Sequence, residues 1–325
     1  MSIESPPMKK MRIAIVVPFY NEAGIVEQFH RRLLAVVAGL PHTFIFYYVD
    51  DGSTDATAKV LANLAREDVR VRILSLSRNF GHQAALTAGL DHAEGDIVIT
   101  MDGDGQHPPE MIPEMLALVL QGYDIVQAVR VDDHQSFSFK KVTSLAFYRL
   151  INFISGTHIE PGGSDFRAMS RQAVDALKAM PEYHRFLRGM IPWMGYRSVI
   201  LPYRPLERLG GKSKYSFSKM LKLALDAIFS FSLIPLYIGV SLGGVMLCLA
   251  LLEMIYVLSF WLTGRQASLA PGWSSLMFVI LIVGGMLMVL LGFIGIYVGY
   301  IFQEVKRRPV YLLKKTALSK NSSYE

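Results

Sequence analysis

Cysteine is almost absent from the chain: Cys248 stands alone in 325 residues, so disulfide frameworks and cysteine metal sites are excluded. Charge is scarce as well, at 18% of residues against 52% hydrophobic, too little for an ordinary soluble protein of this length. No Gly-x-Gly-x-x-Gly follows the first strand-like run and no Walker phosphate loop occurs, which disfavours a dinucleotide dehydrogenase or a P-loop NTPase. No apolar segment follows Met1; Lys9, Lys10 and Arg12 lead directly into a strand-like run, and no signal peptide is expected.

The apolar excess is concentrated near the C-terminus. Leu233 to Leu262 carries one charge, Glu253, and Trp273 to Phe302 carries none. Each run exceeds the roughly 20 residues that cross a bilayer as a helix, so two transmembrane helices are expected. Lys212, Lys214, Lys219 and Lys222 precede the first run, Lys306, Arg307, Arg308, Lys314 and Lys315 follow the second, and the connecting loop 263–272 holds only Arg265. That bias places both termini in the cytoplasm. The net charge of +6 gathers where anionic headgroups would lie, and nucleic-acid binding is not expected. Gly239-x-x-x-Gly243 and Gly295-x-x-x-Gly299 are candidates for close helix approach and self-association, or reflect the glycine abundance of membrane helices. Glu253 is costly in hydrocarbon and should face a helix, a polar cavity or the far interface.

Residues 11–130 alternate strand and helix patterns. A near-continuous β-branched run at Met11–Pro18 reads as a buried parallel strand, followed by strands at Thr43–Val49, Val71–Leu76, Asp96–Met101 and Asp124–Val129. Helical spacing lies between them at Ala23–Val37, Gln83–His92 and Met111–Leu120, with Ser53 or Thr54 as cap for a helix after the second strand. The pattern predicts an α/β, doubly wound, mostly parallel sheet whose strand ends open onto one crevice. Three acidic clusters fall at those ends: Glu22, Asp50 with Asp51, and Asp102 with Asp104. In Ile97 to Glu110 a strand runs directly into Asp102-Gly103-Asp104, and two hard oxygen donors there suit Mg²⁺ or Mn²⁺ facing a phosphorylated ligand. Taken singly, Asp-x-Asp also describes a solvated turn.

Beyond Arg130 the pattern is irregular. Phe137–Ile154 has helical spacing with an aromatic stripe, Pro161–Arg167 reads as a glycine-rich turn delivering Asp165 and Arg167, and Leu206–Tyr215 is a basic glycine-containing loop suited to phosphate or to a membrane surface. Residues 216–232 read as an amphipathic interfacial helix. The resulting division is a tail 1–10, a catalytic domain 11–215, the interfacial helix 216–232, spans 233–262 and 273–302 about the loop 263–272, and a basic tail 303–325.

Six ordered motifs then carry a resemblance: Val-Pro-Phe-Tyr-Asn-Glu (17–22), Asp-Asp-Gly-Ser-Thr-Asp (50–55), Ser-Arg-Asn-Phe-Gly-His-Gln (77–83), Met-Asp-Gly-Asp-Gly-Gln-His-Pro-Pro-Glu (101–110), Ser-Asp-Phe-Arg (164–167) and Gly-Lys-Ser-Lys-Tyr (211–215). Over residues 10–310 the chain resembles family-2 glycosyltransferases of GT-A fold, in the dolichyl-phosphate mannosyltransferase and bactoprenol glucosyltransferase branch. The resemblance implies that Pro18, Tyr20, Glu22 and Asp50 hold the base and ribose of a nucleotide sugar. Asp102, Asp104 and Gln106 would bind Mg²⁺ or Mn²⁺ against its diphosphate, with Gly103 between them where Ala is common in relatives, a change expected to loosen the turn. Arg130, Arg208 and Lys214, with Ser213 beside them, would neutralise phosphates, and Asp165, next to Arg167, occupies the position assigned as catalytic base. A lipid monophosphate is already largely dianionic near neutral pH, its second pKa being about 6, so Asp165 is expected chiefly to orient Arg167 or the acceptor, or to support the developing positive charge on the sugar, and is a base only in a loose sense.

The expected activity is inverting transfer of a hexose, first glucose from UDP-glucose, to undecaprenyl phosphate on the cytoplasmic face of a bacterial plasma membrane, for cell-envelope glycan modification. N-acetylhexosamine, galactose, mannose and aminoarabinose derivatives remain as sugars. A processive polysaccharide synthase is disfavoured because Arg188–Trp193 replaces Gln-x-x-Arg-Trp and only two spans are present; a non-catalytic nucleotide-sugar scaffold and a translocase are the other classes weighed.

Overall fold

In the computed structural model, residues 10–131, 163–183, 185–206, 234–264 and 272–314 are described. Seven strands form one mixed sheet: β1 (Arg12–Phe19), β2 (Thr43–Asp50), β3 (Val71–Ser75), β4 (Ile97–Thr100), β5 (Ile125–Arg130), β6 (Gly163–Ser170) and β7 (Ser198–Tyr203), in the order β3-β2-β1-β4-β6-β5-β7. Parallel pairing joins β1 to β2 and β4, β2 to β3, and β5 to β7. Only β6 runs against its neighbours β4 and β5.

The five strands expected between residues 11 and 130 are present. Two were not foreseen. Gly163–Ser170, read from its glycines as a turn, is a strand buried in the sheet from Asp165 to Met169, and β7 escaped notice because Pro202 interrupts its apolar run. Inserting β6 between β4 and β5 is what carries Asp165 into the middle of the sheet.

The helices are α1 (Val26–Val37), α2 (Thr57–Glu67), α3 (His82–His92), α4 (Ile112–Leu120), α5 (Arg171–Lys178), α6 (Leu187–Trp193), α7 (Ile234–Leu262) and α8 (Trp273–Val305). On one face Ile13, Ile15, Val17 and Phe19 of β1 join Phe29 and Leu33 of α1, Leu61 of α2 and Met115 of α4 in a continuous core. On the other face α3 lies so close to the sheet that a Cβ on Gly89 would collide with Val16. Neither Ser53 nor Thr54 caps α2. Both are engaged with Asn21, and Asp55 instead accepts the Thr57 N–H at 2.9 Å.

The chain divides into two compact units, residues 1–220 with 309–325, and residues 221–308. In the second unit Gly239 packs against Leu290, leaving no room for a Cβ, whereas Gly243, Gly295 and Gly299 have nothing within 4 Å of one. Among the described residues one stretch is long and apolar enough to cross a membrane, Ile282–Val305 of α8, with mean hydropathy 2.3. The side chain of Glu253, Phe137–Ile154 and the interfacial helix 216–232 lie outside what is described.

In the first unit the segment 309–314 returns to the sheet. Leu313 forms an antiparallel bridge with Leu76 just beyond edge strand β3, the Ser77 N–H donates to Leu312 O (2.8 Å), and the Lys314 N–H donates to Ser75 O (2.7 Å). The Tyr311 hydroxyl donates to Asp91 Oδ2 at 3.1 Å.

Candidate active site

Phe19 is in register with Asp50 and Val16 with Thr100, so β1, β2 and β4 deliver their following loops at the same edge of the sheet. Glu22, Asp50, Asp51, Asp102 and Asp104 therefore leave from one rim. Pro18 is buried in β1 beyond the last residue paired to β4, where its missing N–H costs no bond to that strand. Arg130 closes β5 on the same rim, opposite Tyr203 of β7.

Side chains join the loops to each other. Asn21, with a left-handed φ of 53°, accepts the Thr54 N–H (2.8 Å), while Ser53 Oγ accepts the Asn21 N–H (3.0 Å) and Thr57 Oγ1 accepts the Glu22 N–H (2.9 Å). Asp50 accepts the Ser53 N–H at 3.0 Å. Asp51, buried, accepts the N–H groups of Phe80 (2.8 Å) and Gly81 (3.0 Å) and so holds the start of α3 against the rim. Burial pushes the Asp51 carboxyl above the usual carboxylate range, with those two N–H groups opposing. Gly52, at φ 65°, passes so close to the Arg78 backbone that a Cβ would not fit.

His82, first residue of α3, reaches Asp102 Oδ1 with Nε2 (2.7 Å) and faces Asp165 Oδ2 with Nδ1 (3.7 Å). Burial favours the neutral ring, but the two carboxylates outweigh it and push its pKa up to about 9. At neutral pH an imidazolium thus lies between two carboxylates. Asp102 is braced from behind by His107, whose Nδ1 accepts the Asp102 N–H (2.9 Å) and whose ring stacks on Phe166 with centroids 5.2 Å apart. Burial opposes ionisation of Asp102, yet His107 and His82 hold its carboxyl below the ordinary value.

Gly103 stands between the two carboxylates of the Asp-Gly-Asp turn. It packs on the buried Phe19 ring, which a Cβ would overlap, and Phe19 is itself wedged edge-on against Phe29 and Tyr48. Asp104 accepts the Gln106 N–H at 3.0 Å in the turn that follows.

Behind Asp102 stands Asp165 of β6, buried and doubly paired. Arg188 of α6 meets it side-on, Nε to Oδ1 at 3.3 Å and Nη2 to Oδ2 at 2.9 Å, and Arg167 Nη1 approaches Oδ1 at 3.3 Å. Gln83 Nε2 donates to Oδ2 at 3.4 Å. Burial would raise the Asp165 pKa; Arg188, Arg167 and His82 together drive it far below the usual carboxylate range. Arg167 is fixed in turn by a hydrogen bond from Nε to Gln127, whose amide donates to Ser164 O (2.7 Å) and Ala128 O (2.9 Å).

Ligand atoms of His82, Asp102 and Asp165 lie within 4.8 Å of one another, a group that could hold a divalent cation once His82 gives up its proton. Of the metal-binding residues expected from the sequence Asp102 belongs to this group, while Asp104 and Gln106 occupy the adjoining turn. Arg208, Ser213 and Lys214 lie outside the described residues. Sequence reasoning passed over His82, Arg188 and Asn21. The first and last sit within quoted motifs; Arg188 carries no local signature, since its partner is 23 positions away.

A model of the family described as glycosyl transferase family 2 matches residues 14–178. The chain is a member of glycosyl transferase family 2. The SfII prophage-derived bactoprenol glucosyl transferase of Shigella flexneri is 38% identical to this transferase over 310 residues, covering 94% of this chain and 98% of that one. A prophage bactoprenol glucosyl transferase homolog of Escherichia coli K12 is 37% identical over 308 residues, 94% of this chain and 99% of its own. Among solved structures, mannosyl-3-phosphoglycerate synthase from Rubrobacter xylanophilus superposes with a TM-score of 0.51 at 18% identity, over 67% of this transferase and 72% of that chain, a likeness of fold. The mixed, mostly parallel sheet is the GT-A arrangement.

Proposed function

We propose that this transferase moves a hexose, first glucose from UDP-glucose, onto the phosphate of a polyprenyl lipid such as undecaprenyl phosphate. The observation that carries the reading is the convergence of Asp50, Asp102 and Asp104 on one rim with the Asp165–arginine group directly behind; the names and near-full-length similarity of the bactoprenol relatives supply the acceptor.

Asp50, Tyr20 and Glu22 would take the nucleoside, and Asp102 and Asp104, with His82 and Gln106 adjacent, would hold Mg²⁺ or Mn²⁺. When bound, that ion supplies positive charge where the nucleoside diphosphate develops negative charge on leaving. A lipid phosphate oxygen forms the new bond to the anomeric carbon as the bond to the donor's β-phosphate oxygen breaks, with inversion. No proton need move, since the attacking phosphate is already ionised. Asp165, held ionised by two guanidiniums, is a poor proton acceptor at neutral pH. Its part is to fix Arg167 and Arg188 beside the reacting groups.

The basic tracts about the apolar runs support a two-pass topology with the catalytic unit cytoplasmic, α7 and α8 being the spans. Radiolabelled UDP- and GDP-sugars offered with undecaprenyl phosphate to detergent-solubilised protein test the reading. Label should enter lipid from one donor with Mg²⁺ or Mn²⁺ and stay out with EDTA. Hydrolysis without lipid product would overturn the acceptor, and nucleotide binding without any turnover would favour a scaffold.

A further inference from the structure

The segment that returns to the sheet touches the stretch from β3 to α3 at both of its ends. At the near end, where the loop leaves β3, Leu312 O accepts the Ser77 N–H (2.8 Å) and the Lys314 N–H donates to Ser75 O (2.7 Å). At the far end Tyr311 donates its hydroxyl to Asp91 Oδ2 (3.1 Å) and sets its ring edge-on to His92, with centroids 6.1 Å apart. Asp91 and His92 are the last two residues of α3. Burial and the Asp91 carboxylate push the Tyr311 hydroxyl above its ordinary pKa, so it stays a donor at neutral pH.

Between those two points lie groups that the site uses. Phe80 and Gly81 give their N–H groups to Asp51. His82 and Gln83, which open α3, reach Asp102 and Asp165, and Gln83 Oε1 accepts the Leu187 N–H of α6 at 3.3 Å. From Ala84 to Leu90 the helix is buried. At about 1.5 Å per residue its length is about 16 Å. A helix so short and so closely packed moves as one body, and a shift at Asp91 becomes a shift at His82.

We propose that residues 311–314 position the catalytic rim: Tyr311 holds the far end of α3, the backbone at Leu312 and Lys314 holds the start of its loop, and together they set where His82 and Gln83 meet Asp102 and Asp165. Tyr311 is then a positioning residue that acts through α3. The proposal rests on the reading of this rim as the donor and metal site, and adds to it a segment that follows α8 in sequence.

Variants of the full-length protein test it. Tyr311→Phe removes only the hydroxyl that binds Asp91, Tyr311→Ala also takes the ring away from His92, and Lys314→Pro, compared with Lys314→Ala, removes the N–H that donates to Ser75 O. Since a misplacement of about 1 Å can cost on the order of a hundredfold in rate, Tyr311→Ala and Lys314→Pro should lower kcat about tenfold or more well below their unfolding midpoints, with KM for undecaprenyl phosphate within about twofold of the parent. Tyr311→Phe should show the same change in smaller measure. Hydrogen exchange read by mass spectrometry, without donor or acceptor, should quicken in peptides covering residues 76–84 and keep the parent's rate in peptides covering β1. Lower midpoints with parental kcat and parental exchange at 76–84 would make the segment a stabiliser alone and overturn the proposal. So would exchange that quickens as much in β1. If the parent transfers no sugar, yet the variants quicken exchange at 76–84 and not in β1, the transfer reading fails and the positioning assignment stands.

Discussion

At the scale of single residues, two positions show how tightly the rim is supported from below. Gly103 stands where any side chain would press on Phe19, itself buried among aromatic rings. Gly103→Ala should therefore cost about 1–3 kcal/mol by overpacking, read as a lower unfolding midpoint, whereas a loose turn would leave that midpoint unmoved. His30 is buried, bonded to the Tyr48 hydroxyl at 2.7 Å and 3.6 Å from Asp68, with Arg70 also acting on it. Burial pulls its pKa below the ordinary 6.5. The folded state then resists a proton that the unfolded chain accepts, so stability is intact above pH 6.5 and falls as the pH drops from there toward the lowered value. Unfolding midpoints at pH 7.5 and 5.5 should differ more in the parent than in His30→Gln, which keeps an acceptor for Tyr48 and removes the titration.

Elements show where sequence patterns stop being informative. Strands β1, β2 and β4 were legible because both faces are covered, and such strands read as near-continuous apolar runs; β3 and β5 were legible from their place in the strand–helix alternation. β6 was not, because Gly163 and Ser164 open it and its interior holds Asp165 and Arg167, polar residues whose burial depends on partners brought by α3 and α6. The acidic residues of the site were legible as strand-end carboxylates; the arginine that neutralises one of them was not. The loop from β3 to α3 is held by Asp51, which accepts two of its N–H groups. Asp51→Ala should leave both without their partner, at about 1–3 kcal/mol for each that stays buried, and release His82 from Asp102. Lower stability together with weaker donor binding, measured on solubilised protein, is the expected pair of results; unchanged donor affinity would show that the loop keeps its place without this anchor.

For the whole molecule, composition announced an apolar C-terminal region, but nothing in it indicated that the chain comes back. Residues 309–314 rejoin the first unit beside β3, through two backbone hydrogen bonds and the Tyr311–Asp91 contact. At about 0.5–1.5 kcal/mol per bond, ending the chain at Arg308 should remove roughly 2–4 kcal/mol and lower the midpoint by on the order of 10 °C. Fluorescence-detected size exclusion on heating would measure it, and a midpoint equal to that of the full chain would make the return segment ornamental.

That return also fixes an order of events during synthesis. The segment that bridges to the chain beside β3 follows both long apolar helices in sequence, so the catalytic sheet waits with that edge uncovered while those helices are made. An open edge is a template for any other strand. A nascent chain stalled within α8 would present a folded sheet still able to pair with a stranger, and synthesis of residues 309–314 is what closes it.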